Sequence, residues 1–168
     1  MKPNQPVPAL DVPLVGGGRF RLAERRPPLF TMVVFYRGYH CPICKTYLRD
    51  LDGRLAEFEK LGVESLAVTS DSADRATKTV AEWELANLPV GYGLGIEAVR
   101  AWGLFVSNAI SDKEPPQFIE PGLFLVRPDG TLYAGAVQTM PFARPGFGDV
   151  LAAVRFIKER NYPARGDA

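Results

Sequence analysis

Between residues 29 and 36 the chain reads LFTMVVFY. So short and dense an apolar run suits a strand buried on both faces. Ahead of it, LDVPLVGGGRFRLAE alternates around Gly16-Gly17-Gly18 and predicts a hairpin. Behind it the period becomes helical: Ile43, Tyr47, Leu48, Leu51, Leu55 and Phe58 recur at three and four residues. Pro42 fits the first turn of that helix, where its missing N–H costs nothing, and Leu61-Gly62 ends it. Gly53 costs about 1 kcal/mol against alanine there, a weak point or bend. Val63–Ser70 reads as the next strand. DSADRATKTVAEWEL then starts a helix on Asp71 or Ser72 as N-cap and carries it to about Leu88. LPVGYGLG punctuates the chain before a short helix, Ile96–Trp102. Residues 103–122 show no period and read as irregular. Leu123–Arg127, a Pro128-Asp129-Gly130 turn and Thr131–Val137 predict a second hairpin. Phe147, Val150, Leu151, Val154 and Ile157 mark a final amphipathic helix.

The order is hairpin, β, α, β, α, short α, β-hairpin, α. A βαβ unit followed by an antiparallel hairpin and a helix implies an α/β fold with a mixed central sheet flanked by helices. With the N-terminal β-hairpin as an extension, this is the order of a thioredoxin-like fold. No repeat or linker interrupts residues 1–168, so one domain is expected. A net charge of +1 argues against nucleic acid or a membrane surface as a charge-driven partner. The basic clusters Arg25-Arg26 and Arg155–Arg160 are short and read as solvated faces. No window reaches the roughly 18 apolar residues of a membrane span. MKPNQPVPALDVPLV lacks the apolar core of a secretory signal, so the cytoplasm is the expected location. Trp83 and Trp102 read as core or interface aromatics.

Both cysteines and the only histidine fall in FYRGYHCPIC, residues 35–44. In a reducing compartment two cysteines point to redox or metal chemistry rather than to a structural staple. Cys41 stands where the strand stops and the helix starts. Unpaired N–H groups and the positive dipole end favour a thiolate there, and can bring a thiol pKa from ~8.5 into the range ~3.5–7.5. Cys44 is one turn on, on the same side, where it can attack Cys41 once that sulfur is oxidised. The more N-terminal and more exposed Cys41 is then the nucleophile. Three other readings stand beside this one. Both cysteines could be buried small hydrophobes. They could form a structural disulfide, although so short a loop constrains the unfolded chain little. They could bind zinc, but a structural site wants four ligands and the chain offers Cys41, Cys44 and His40. Only a site shared across a dimer would complete it, so no metal is expected.

VVFYRGYHCPICKTYLRDL resembles the active-site segment of the peroxiredoxin-like branch of the alkyl hydroperoxide reductase and thiol-specific antioxidant (AhpC/TSA) superfamily. SLAVTSDS, PGLFLVRPDG and MPFARPGFGD…NYPARG follow in the order expected of it. The resemblance implies a thioredoxin fold and a thiol-dependent antioxidant oxidoreductase. In it Cys41 is the peroxidatic residue and Cys44 the resolving one, with no cofactor. An external dithiol of thioredoxin or glutaredoxin type is the reductant, and a homodimer is suggested. Pro121 matches a proline that is usually cis and packs beside the cysteines. Pro42, Arg37, Gly38, Tyr39 and His40 shape the site.

The chain departs from the family pattern Pro-x-x-x-Thr-x-x-Cys, having Val34 and Gly38 at those places. It also has Glu120-Pro121-Gly122 where an arginine usually precedes the later strand. Donors aimed at a departing oxygen would have to be helix amides, Arg37, Tyr36, Tyr39 or His40. His40 is either a general base and pKa tuner or a solvated imidazole; Arg37 holds either a substrate oxyanion or a carboxylate. Residues 103–120 either cover the site or form a dimer face. Three functions remain open at this level: a hydroperoxide reductase, a protein disulfide reductase, and a non-catalytic module that senses redox state or binds metal.

Overall fold

A computed structural model describes residues 1–168. The N-terminal hairpin forms from β1 (Asp11–Pro13) and β2 (Arg19–Arg21), paired antiparallel across the three glycines, all at positive φ. β3 (Phe30–Phe35) is buried along its whole length, as its unbroken apolar run requires. α1 (Pro42–Leu61) passes through the exposed Gly53 without a break and ends on Gly62 in the left-handed conformation. β4 (Val63–Val68) pairs parallel to β3, the geometry a helical crossover produces.

α2 (Ala73–Glu82) starts on Ser72, whose side chain accepts from Arg75 N–H. It stops six residues short of the expected end at Leu88. Glu84 turns to a φ of 57°, and the carboxylate of Asp52 on α1 captures the N–H groups of Ala86, Asn87 and Leu88 at 3.3, 2.9 and 2.7 Å. A tertiary acceptor thus replaces the helical carbonyls that a longer helix would have offered. Asp52→Ala is expected to cost about 1–3 kcal/mol of unfolding free energy, the usual penalty for stranding such donors. Urea denaturation measures it, and an unchanged midpoint would show that water serves those amides equally well.

β5 (Val90–Gly91) adds a two-residue strand parallel to β4, too short to carry a period in the sequence. α3 (Ile96–Ala101) follows. The stretch expected to be irregular contains a second correction: β6 (Val106–Asn108) and β7 (Gln117–Ile119) form an antiparallel hairpin. Each strand is three residues long and the connection holds two prolines, so neither shows an alternation of useful length. β8 (Gly122–Val126) and β9 (Leu132–Val137) form the expected hairpin, and α4 (Phe147–Arg160) closes the chain.

The central sheet has the order β5-β4-β3-β8-β9, parallel on the β5-β4-β3 side and antiparallel on the other. One core layer packs α1 and α4 on Met32, Val34, Leu123 and Leu125. The other packs α3, Trp102 and the N-terminal hairpin on Val33, Phe35, Phe124 and Val126. Both tryptophans are core residues, as expected. No helix is long and apolar enough to cross a membrane. β3 therefore delivers its C-terminal end, and with it the RGYHC connection, to one rim of a sheet covered on both faces.

Candidate active site

Cys41 is the N-cap of α1. Its backbone is extended, and its Sγ accepts a hydrogen bond from Cys44 N–H at 3.2 Å, where a serine or aspartate oxygen would ordinarily sit. Pro42 takes the first helical position, and Cys44 follows one turn behind. Both are free thiols. The expectation that Cys41 would be the more exposed of the two is wrong: it is 1% accessible and Cys44 0%, because β3, α1 and the connection close over both.

The two sulfurs differ in charge rather than in exposure. Cys41 is pushed down to about 6 by the Cys44 thiol shared with it, against burial, and then by the Cys44 N–H and the cations Arg144 and Arg37. Cys44 is raised by burial and by the thiolate that Cys41 becomes. At neutral pH the pair holds one negative charge, on Cys41, and one proton, on Cys44. The thiolate is the reactive form, so reaction with a small electrophile should rise as pH passes about 6 and level off by neutrality. Iodoacetamide rates against pH measure this. A midpoint near ~8.5, the value of a free thiol, would remove the activation.

The RGYH connection is built around Asp71, whose side chain is fully enclosed. Its Oδ2 accepts from Tyr39 N–H at 2.7 Å, and its Oδ1 pairs with Arg75 Nε at 2.9 Å. Gly38 has a φ of 132° and passes so close that a Cβ there would lie 2.6 Å from Asp71 Oδ2. Its carbonyl accepts from Cys41 N–H at 3.1 Å. Gly38 thus sets the entry into α1.

The polar side chains of the connection take partners other than the sulfurs. Tyr39 stacks on Trp83 and donates its hydroxyl to Glu82. His40 is neither a base for Cys41 nor a solvated ring. Arg75 Nη2 lies 3.3 Å from His40 Nδ1, which makes Nδ1 the acceptor and puts the proton on Nε2. The ring packs on Phe118, and burial, then Arg37, lowers its pKa, so it is neutral at physiological pH. Arg37 meets a carboxylate, the second of its two expected roles. Its Nε lies 3.2 Å from Glu120 Oε2 without being aimed at it, so charge rather than a hydrogen bond joins them. Glu120 is buried and also accepts from Ser107 O–H at 2.6 Å. Arg37 further stacks on Phe118. These contacts fasten the β6–β7 hairpin onto the RGYH connection.

Pro121 is trans; the structure contains no cis peptide bond. The chain runs extended from β7 to β8, with Glu120 N–H donating to Phe105 O and Gln138 N–H donating to Pro121 O. No tight turn there requires the cis form.

The sequence reading missed Arg144. It arrives from the segment between β9 and α4, 100 residues after Cys44, and its Nη1 donates to Cys44 Sγ at 3.6 Å. Its guanidinium lies 4.2 Å over the Tyr47 ring, while Tyr47 O–H donates to Pro145 O at 2.7 Å. With Ile43, Thr46, Tyr47, Asp50 and Phe142, Arg144 lines an open cleft of about 620 Å³. The motif MPFARPGFGD contained this residue, but nothing local to it points at a cysteine.

The sequence matches the model of the AhpC/TSA family over residues 3–134, most of the chain. The chain belongs to the AhpC/TSA family. Among solved structures, peroxiredoxin Q of Xanthomonas campestris is 26% identical, with a TM-score of 0.70 over 89% of this chain and 91% of that one. AhpC of Enterococcus faecalis is 18% identical, with a TM-score of 0.75 over 98% and 99%. Peroxidoxin BcpB of Mycobacterium tuberculosis is 16% identical, with a TM-score of 0.75 over 94% and 98%. The last two likenesses bear on the fold alone. No curated protein matches the sequence. As an AhpC/TSA protein the chain is an enzyme, a thiol-dependent peroxidase with a thioredoxin-like fold.

Proposed function

We propose that this AhpC/TSA protein reduces small hydroperoxides through Cys41 and closes its cycle with Cys44, without a metal or organic cofactor. The observation that carries this reading is the N-cap position of Cys41, with Cys44 N–H bonded to its sulfur and Cys44 holding the proton. The Cys41 thiolate attacks one peroxide oxygen; the S–O bond forms as the O–O bond breaks, and the alcohol or water leaves with a proton from solvent. Cys44 then attacks the sulfenic sulfur, forming the disulfide and releasing water. Two thiols and one hydroperoxide become one disulfide, one alcohol and one water. An i, i+3 pair at a helix start lies within the ~4.4–6.8 Å Cα span of a disulfide, so the bridge can form in place.

An external dithiol of thioredoxin or glutaredoxin type completes the reading, with the cytoplasm as the location that keeps such a pair reduced. The whole of residues 1–168 serves as one redoxin domain. A homodimer belongs to the same reading. Phe105 and Ile110, exposed on the β6–β7 hairpin, are apolar side chains that a partner would cover, and light scattering tests it.

Burial of both sulfurs favours a small peroxide as the oxidant of Cys41, and the site must open to admit the dithiol of the reductant. Stopped-flow mixing with hydrogen peroxide and with an alkyl hydroperoxide, beside insulin reduction, separates a peroxidase from a disulfide reductase. Cys41 should outpace a free thiol with at least one peroxide. Peroxide rates no better than a free thiol, together with fast insulin reduction, would make the protein a disulfide reductase instead.

A further inference from the structure

Each other arginine near the site is neutralised: Arg37 by Glu120 and Glu114, Arg75 by Asp71. Arg144 forms no ion pair. Its Nη1 rests on Cys44 Sγ, and its Nη2 is buried with no hydrogen-bond partner. The anion it serves is therefore that of the cysteine pair, whose charge it already favours on Cys41 while its own contact is with the sulfur of Cys44. The backbone is bent to place it. Ala143, immediately before it, has a φ of 55°, a conformation that strains a residue bearing a Cβ. Tyr47 then clamps the result, its ring under the guanidinium and its hydroxyl on the next carbonyl.

The sulfur that Arg144 touches is that of Cys44, not Cys41. Cys44 is the thiol that burial and the neighbouring thiolate hold protonated. Once Cys41 is a sulfenic acid, that neighbouring charge is gone, and Cys44 must lose its proton to react. From this geometry we infer that Arg144 is the catalytic residue of the resolving step, stabilising the Cys44 thiolate as it attacks the sulfenic sulfur of Cys41. In that step the Cys44–Cys41 S–S bond forms and the Cys41 S–O bond breaks. The departing hydroxide takes up the proton that Cys44 gave up and leaves as water. Nη1 holds the attacking sulfur, while the free Nη2 supplies a second donor at the same site for the departing oxygen. In the first step Arg144 favours the Cys41 thiolate only through its charge, beside the helix N-terminus and the Cys44 N–H, whereas in the resolving step it contacts the attacking sulfur directly.

This inference rests on the two-cysteine cycle proposed above, and its test separates the two. Single-turnover mixing of the reduced protein with hydrogen peroxide resolves a peroxide phase and a resolving phase. R144Q is expected to slow the resolving phase by about 10- to 100-fold, the worth of a hydrogen bond to a charged group. The peroxide phase should slow by far less, and the fraction of Cys41 trapped as sulfinic acid should rise with peroxide concentration. R144K should recover part of the resolving rate. If R144Q does not fold, R144M is read in the same way. A second measurement needs no peroxide. Methyl methanethiosulfonate places a methylthio group on Cys41, and mass spectrometry follows its displacement by Cys44, which R144Q should also slow. Slow displacement in R144Q, in a protein whose wild type ignores peroxide, would sink the peroxidase reading alone. A peroxide phase slowed as much as the resolving phase, or an unchanged resolving phase and displacement rate in the folded variant, would overturn the assignment of Arg144.

Discussion

Cys41→Ser is expected to abolish peroxide turnover, a fall of at least about 10³-fold, because it removes the reacting atom rather than a helper of it. Cys44→Ser should instead consume one equivalent of peroxide and stop. Its Cys41 sulfenic acid then has no neighbour to condense with, and mass spectrometry would find it one oxygen heavier, or two where a second equivalent of peroxide carries it to the sulfinic acid. The asymmetry follows from the N-cap. Cys41 Sγ receives the Cys44 N–H, and that donor belongs to the backbone, so it survives the change at residue 44. The serine hydroxyl can take over the hydrogen bond that the Cys44 thiol gave, so the Cys41 thiolate should persist, and the single turnover should be slower at pH 6 than at pH 8. The reverse pattern, with Cys44→Ser dead and Cys41→Ser retaining one turnover, would exchange the two roles.

Gly38→Ala is expected to be the most damaging single-methyl change in the connection. The added Cβ would meet Asp71 Oδ2 at 2.6 Å, and the backbone at a φ of 132° suits only glycine. Asp71 cannot yield cheaply, since its carboxylate is enclosed and already serves Tyr39 N–H and Arg75. Strain and the displaced hydrogen bonds together amount to about 2–5 kcal/mol of lost stability. The same change moves the carbonyl that holds Cys41 N–H, so the Cys41 thiolate should become less favourable as well. Urea denaturation and the pH dependence of alkylation read the two effects separately. A variant as stable as the parent, with an unchanged alkylation midpoint, would show that the connection tolerates another path into α1.

The parts of the fold that were legible in the sequence are those in which neighbours along the chain share one environment. LFTMVVFY could be read as a doubly buried strand, and the series Ile43 to Phe58 as a helix, because their periods are local properties. The end of α2 was not legible, since the acceptor that stops it, Asp52, belongs to another helix. Nor was the β6–β7 hairpin, whose strands are three residues each and are kept in place by Arg37, Glu120 and Phe118. At the site, the cysteine pair and Pro42 were visible in FYRGYHCPIC, whereas the positive φ of Gly38 was not. The side-chain roles were not. His40, Tyr39 and Arg37 adjoin Cys41 in sequence, yet the first two turn to Arg75 and Glu82, and Arg37 gives its charge to Glu120.

What the sequence by itself determined is where the two thiols stand. A strand end, a Cys at the N-cap, Pro at the first helical position and Cys one turn on are consecutive residues, and helix geometry alone brings the two sulfurs to one side. What only the tertiary structure decided is which charges those sulfurs feel. Coulomb and hydrogen-bond partners are chosen by distance through space, and packing α1 against the segment before α4 brings Arg144, unpaired, onto Cys44, while packing the β6–β7 hairpin pairs Arg37 with Glu120.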